Sequence, residues 1–130
     1  MHPSVRQLIE TASDYDQVMG ICHCIGEKRR MLGDLPRSSL PKEQEAIGLI
    51  IFAIGVLGNG GFMYFEELEG DVEATAKALE LVGAHSAAEH MRDWYEEGLE
   101  IERDAIDSNM ADFIRANPEA YDDLPAYVPD

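Results

Sequence analysis

Apolar residues recur every three or four positions over most of this chain, the period of one face of a helix. Val5, Leu8 and Ile9 begin the pattern behind Pro3 and Ser4, and Ser4 and Gln7 have the spacing of a capping box. Ser13 or Asp14 starts a second helix whose predicted inner face is Tyr15, Val18, Met19, Cys22, Ile25 and Leu32. Lys28, Arg29 and Arg30 fall in its last turns, where cations suit the helix dipole, and Gly33 is its stop. Residues 33–41, GDLPRSSLP, read as a loop. Pro41 then opens a third helix in the first-turn position that tolerates proline. There Ile47, Ile50, Ile51, Ile54 and Leu57 keep helical spacing, and Leu49, Phe52, Ala53 and Val56 fill the other faces. A helix apolar on nearly all sides is expected to be buried on nearly all sides, with the rest packed round it.

Asn59-Gly60-Gly61 is expected to end that helix, since these residues accept left-handed backbone angles. Phe62, Phe65 and Leu68 follow on a short helix closed by Gly70. Asp71 caps the next, with Val72, Thr75, Ala76, Leu79 and Val82 inward and Gly83 as its stop. Ser86 and Glu89 have capping-box spacing for a helix with Ala88, Met91 and Tyr95 as its apolar face, Trp94 beside them, and Gly98 as a kink or end. Ser108 or Asn109 starts a last helix with Met110, Phe113 and Ile114 inward, stopping before Asn117-Pro118. The proline-bearing tail is expected to be extended. Residues 47–57 are too long and too rich in alanine and glycine for a buried strand. The predicted fold is all-α: one domain of six or seven helices round a central apolar helix at about 41–58, with 1–40 as an N-terminal scaffold and 123–130 as a tail.

Charge changes the picture. The 130 residues carry a net charge of −16, almost all of it in one half. Residues 1–65 hold seven Asp/Glu and six Lys/Arg, a net of −1, whereas residues 66–130 hold nineteen and four, a net of −15. A halophilic surface would spread its acidity evenly, and this chain does not. Such a charge repels nucleic acid and anionic membranes and favours basic proteins, polyamines or metal cations. Cys22 and Cys24, the only cysteines, are too close for a structural disulfide. The N-terminus lacks an apolar signal core. Residues 46–65 carry no formal charge. The Asn-Gly-Gly turn is expected to leave about twelve helical residues there, roughly 18 Å, too short to cross a bilayer. The expectation is a cytoplasmic protein.

One acidic row has a helical step throughout: Glu89, Asp93, Glu96 or Glu97, Glu100, Asp104 and Asp107. Carboxylates three or four residues apart on a helix have Cβ atoms about 5–6 Å apart, so such a row can imitate the phosphates of a nucleic-acid strand. Glu66, Glu69 and Glu73 form a secondary row if the turn at Gly70 permits. Like charges at this spacing cost a helix a few tenths of a kcal/mol per pair, and Arg92 and Arg103 are nearly the only basic residues among them. The plain alternative is a solvated helix face.

At the turn the chain begins to resemble a family. Asn59-Gly60-Gly61-Phe62-Met63-Tyr64-Phe65 resembles the NGGF-x-QYF motif of the DNA-mimic protein family, a bacterial domain. Ala78, Leu79, Val82, Gly83 and Ala84 resemble its AL-x-x-IGA segment. Phe113 to Glu119 resembles its closing YI-x-x-NPE-x-F, with Tyr121 in the aromatic place. The resemblance spans roughly residues 45–122. Met63-Tyr64 departs from the motif, and the N-terminal third matches nothing in it. The resemblance implies an all-helical, often dimeric protein, and a well-understood member of the family occupies a DNA-binding protein through DNA-like surface charge. The expectation for this chain is a non-enzymatic protein without cofactors that presents its acidic rows to a basic DNA-binding protein. Asn59, Gly60, Gly61 and Phe62 would be structural. An immunity or antitoxin protein covering a basic nuclease would carry the same acidic surface. A metal site drawing on Cys22, His23, Cys24, His85 and Glu89 is the lesser alternative, because Cys-His-Cys is off the usual zinc spacing. No nucleophile–base set or phosphate loop points to an enzyme.

Overall fold

In a computed structural model of the chain, residues 2–36 and 39–128 are described. The middle of the 33–41 loop and the last two residues of the tail lie outside the described residues. The described chain is all-helical, with α1 (Val5–Thr11), α2 (Asp14–Leu32), α3 (Lys42–Glu67), α4 (Val72–Leu81), α5 (His85–Arg92), α6 (Glu96–Ile101) and α7 (Arg103–Ala116), then a 3₁₀ turn at Pro118–Tyr121.

Several predicted signals act as expected. Ser4 accepts from the Gln7 amide while Gln7 returns a bond to the Ser4 N–H, and Ser13 and Asp71 cap α2 and α4. Gly33 and Gly83 end α2 and α4 at positive φ, 67° and 88°. Other expectations are corrected. Ala84, not Ser86, stands at the start of α5, without a side-chain cap. The last helix begins at Arg103, ahead of Ser108 and Asn109.

The inner face of α2 is turned from the predicted one. Gln17, Val18, Gly20, Ile21, Cys24 and Ile25 are buried, while Tyr15 and Met19 are exposed. The inward stripe hides from a hydrophobicity reading because it includes a glutamine and a glycine. Gln17 Nε2 donates to the Ala111 carbonyl of α7 at 3.3 Å, and Gly20 gives α1 room: a Cβ there would stand 3.1 Å from Leu8. Cys24, rather than Cys22, is therefore the core cysteine.

α3 is the central helix, in contact with α2, α4, α6 and the 3₁₀ turn. It is not enclosed on nearly all sides. Phe52 is 36% exposed, Gly55 and Gly58 are exposed, and Ile51, Ile54 and Leu57 are half-buried. Nor does it stop at Gly58. It kinks at Gly61 (φ 71°, ψ −169°) and continues to Glu67. The predicted break at Asn59-Gly60-Gly61 is thus present, with Phe62 and Phe65 on a short segment beyond it, but the helix before the break is longer than expected, and Lys42–Glu67 taken together is long and apolar enough to cross a bilayer. In this structure Ala46, Ile47, Ile50, Ala53, Phe62 and Phe65 are instead buried in the core. Leu68, read as inward, is exposed.

The tail is fastened rather than free. Tyr121 is fully buried and its hydroxyl donates to the Glu43 carbonyl at 3.2 Å. Asp122 takes two bonds from Arg6, and Asp123 accepts from Lys28 and Gln44. Leu124 is buried, and the Tyr127 N–H donates to the Pro3 carbonyl at 3.2 Å. The Tyr127 ring meets His23 edge-on. The buried amide of Gln44 is satisfied here as well, donating to Ala120 and Asp123 and accepting from Lys28.

Candidate acidic interface

The acidic half is built from short helices because each is stopped early. α3, α4 and α5 end in the same motif, in which one residue takes a positive φ and two amides turn back to the last carbonyls. At α4 that residue is Gly83, whose amide reaches Glu80 O, while the Ala84 amide reaches Leu79 O. At α3 it is Glu69 (φ 62°), and at α5 it is Trp94 (φ 55°). The Trp94 amide reaches Met91 O at 3.3 Å and the Tyr95 amide reaches His90 O at 2.9 Å. Neither a glutamate nor a tryptophan announces such an ending in sequence.

The predicted row therefore does not run along one helix. Glu89 lies on the last turn of α5 and Asp93 caps its end, Glu96, Glu97 and Glu100 lie on α6, and Asp104 and Asp107 on α7. Breaks at Trp94 and Glu102 separate the three pieces. Within each piece the three- or four-residue step survives. Among the described residues, Glu89, Asp93, Glu97, Glu100 and Asp104 are exposed and enter no ion pair or side-chain hydrogen bond. Asp107 is half-buried, and burial pushes its carboxyl up from the ordinary aspartate value. In the secondary row, Glu66 and Glu69 are exposed without such partners, but Glu73 is paired with Arg92. Arg92 also holds Glu80, so it joins α4 to α5, and both carboxylates sit below the usual glutamate range because of the hydrogen bonds it donates.

Glu96 has a second task. Its Oε1 accepts the Phe62 N–H at 2.9 Å, which supplies a partner to an amide freed by the kink at Gly61. A Cβ on Gly61 would stand 2.5 Å from that same oxygen. Of the four residues read as structural, Gly61 makes the kink and Phe62 enters the core; Asn59 and Gly60 lie on the exposed side. The Phe62 ring stacks on Trp94, with centroids 5.0 Å apart and planes 17° apart. Trp94 and Tyr95, read as part of a buried face, are 44% and 46% exposed. Glu102, absent from the predicted row, lies 3.3 Å from His90 Nε2 at the α6–α7 junction, an ion pair only when His90 is protonated.

The metal alternative loses its geometry. No group of three His, Cys, Asp or Glu side chains able to hold a metal occurs among the described residues. Burial pushes both the Cys22 and Cys24 thiols up to about 11, which disfavours the thiolate a metal needs. His23 packs on Tyr127, and His85 lies beside Ser86, Glu102 and Asn109 in a cleft far along the chain from the two cysteines.

A family model described as DMP19-like protein matches residues 38–127. The match reaches further on both sides than the motif resemblance and includes most of the fastened tail. No curated protein and no solved structure matches the chain.

Proposed function

The chain belongs to the DMP19-like protein family, and from that premise we propose that it is a non-enzymatic DNA mimic that occupies a basic DNA-binding protein by electrostatic competition. The observation that carries the reading is the set of five exposed carboxylates, without partners among the described residues, along the α5–α7 stretch: Glu89, Asp93, Glu97, Glu100 and Asp104. Carboxylates that served stability would be paired with the few available cations, as Glu73 and Glu80 are with Arg92. These five repel one another instead, and a basic partner would remove that repulsion. Association would be fast and steeply salt-dependent, with each carboxylate contributing little and the set contributing together. The same surface would suit an inhibitor of a basic nuclease. The identity of the captured protein separates the two.

The test is charge reversal combined with affinity capture from the native host's lysate. Asp93, Glu97 and Glu100 are changed together to Lys, leaving Glu96 in place because it holds the Phe62 amide. Capture by the wild-type chain of one basic DNA-binding protein, released by salt and by duplex DNA and lost in the triple variant with its helicity intact, is the expected result. Retention of the partner by the triple variant would remove this surface from the interface.

A further inference from the structure

We propose that the outer face of the Trp94 indole is the anchor of the acidic surface and receives an arginine side chain of the basic partner. This inference rests on the mimic reading and adds to it the residue chemistry of the contact. One face of the indole is already occupied: it lies on Phe62, a ring that is itself buried and fixed beside the kink of α3. Trp94 is nevertheless 44% exposed, which leaves indole surface outside that stack for a second group. The residue sits at the α5–α6 break, where φ is 55° and a glycine would fit with less strain. Asp93 precedes it on the break and Glu97 stands three residues on, in the first turn of α6, and both carboxylates are without partners among the described residues. The result is a flat aromatic platform with a rigid backing, set among negative charges.

Two kinds of group stack on such a platform. A nucleobase does, but it brings phosphate with it, and residues 66–130 carry a net charge of −15. A cation is favoured by both parts of the site. The guanidinium group suits it best, because it is planar and weakly hydrated. It can lie on the indole while its N–H groups reach a carboxylate in a bidentate pair. Lysine offers a compact, strongly hydrated charge that gains less from the ring. Exposed aromatic residues with fixed rotamers, rimmed by polar groups, are also the common anchors of protein interfaces.

Trp94 is the only tryptophan in the chain, so its emission reports on this site alone. The protein is titrated at low salt with hexa-arginine and with hexa-lysine, following emission and, in parallel, calorimetric heats. Arginine pairs better with carboxylates anywhere on this surface, so the decisive quantity is the part of its preference lost in Trp94→Gly. We expect hexa-arginine to change the emission saturably. We expect Trp94→Gly to weaken hexa-arginine binding about 3- to 10-fold while hexa-lysine binding hardly changes. If both peptides bind by calorimetry with the emission unchanged, or if the substitution weakens both equally, the anchor is wrong and the acidic-surface reading stands. If neither peptide binds, both fall. Should Trp94→Gly melt early by circular dichroism, Trp94→Leu replaces it, since leucine keeps a cover on Phe62.

Discussion

Gly61 holds together the two parts of the molecule that the sequence presents separately, the apolar helix and the acidic one. Its backbone, at φ 71° and ψ −169°, lies in a region open almost only to glycine, and its missing Cβ leaves room for the Glu96 carboxylate. Gly61→Ala should therefore be strongly destabilising, by about 2–3 kcal/mol in urea unfolding, from backbone strain with displacement of Glu96 added. Glu96→Gln should keep most of the stability because an amide oxygen can still accept the Phe62 N–H. Glu96→Ala should lose about 1–2 kcal/mol. Equal losses in the two Glu96 variants would mean that its charge, and not the hydrogen bond, matters at the kink. The turn was legible in sequence from Asn59-Gly60-Gly61. The role of Glu96 was not, because its partner is thirty-four positions away and a glutamate in an acidic run has no local mark. The same limit explains Cys24: it is buried because Gln17 and Gly20 define the inner face of α2, and neither residue is apolar.

At the scale of elements, what could be read was whatever is written in short-range chemistry. Ser4, Ser13 and Asp71 cap as their types suggest, and Gly33 and Gly83 stop their helices. The boundaries that escaped are those set by tertiary contact: the ends at Glu69 and Trp94, the uncapped starts of α5 and α7, and the tail. Proline made the tail look extended, and residues 125–128 are indeed not helical, yet side chains fasten it to α1, α2 and α3. Asp123 is the testable fastening. Burial raises its pKa, but the hydrogen bonds from Lys28 and Gln44 outweigh this and leave it below the ordinary aspartate value. A carboxyl whose folded pKa is depressed stabilises the fold fully above its unfolded pKa, about 3.9, and loses that contribution as pH falls through the folded value. Asp123→Asn should accordingly lower Tm at pH 7, and the gap to wild type should narrow below about pH 4. A gap that stays constant down to pH 2 would assign the effect to lost amide geometry and not to the charge. Much of the carboxylate is solvent-exposed, so the effect should be small.

For the molecule as a whole, the decisive quantity is the segregation of charge along the chain. Nearly all of the −16 lies after residue 65, on helices kept short by their own endings, while the uncharged run 46–65 enters the core and borders those helices, with Ile54, Leu57 and Gly58 sharing a cleft with Glu96, Glu100 and Arg103. Sequence showed this segregation directly, because it needs only counting. It did not show that the row is divided over three helices, since helical spacing continues through Trp94 and Glu102 where the backbone turns. A concentrated charge of one sign opposes its own compact state, and salt screens it: the Debye length falls from about 30 Å at 0.01 M to about 3 Å at 1 M. The free protein should therefore gain Tm as NaCl rises, whereas its complex with a basic partner should dissociate over the same range. Reversing Asp93, Glu97 and Glu100 to Lys changes the charge by two at each site, taking −16 to −10. That variant should be more stable than wild type at low salt and respond less to added salt, while failing to bind the partner. Such opposite effects on stability and binding would mark the carboxylates as held against the interest of the fold. A variant no more stable at low salt would mean that water already screens these charges from one another, and the repulsion invoked to drive association would be too weak to do so.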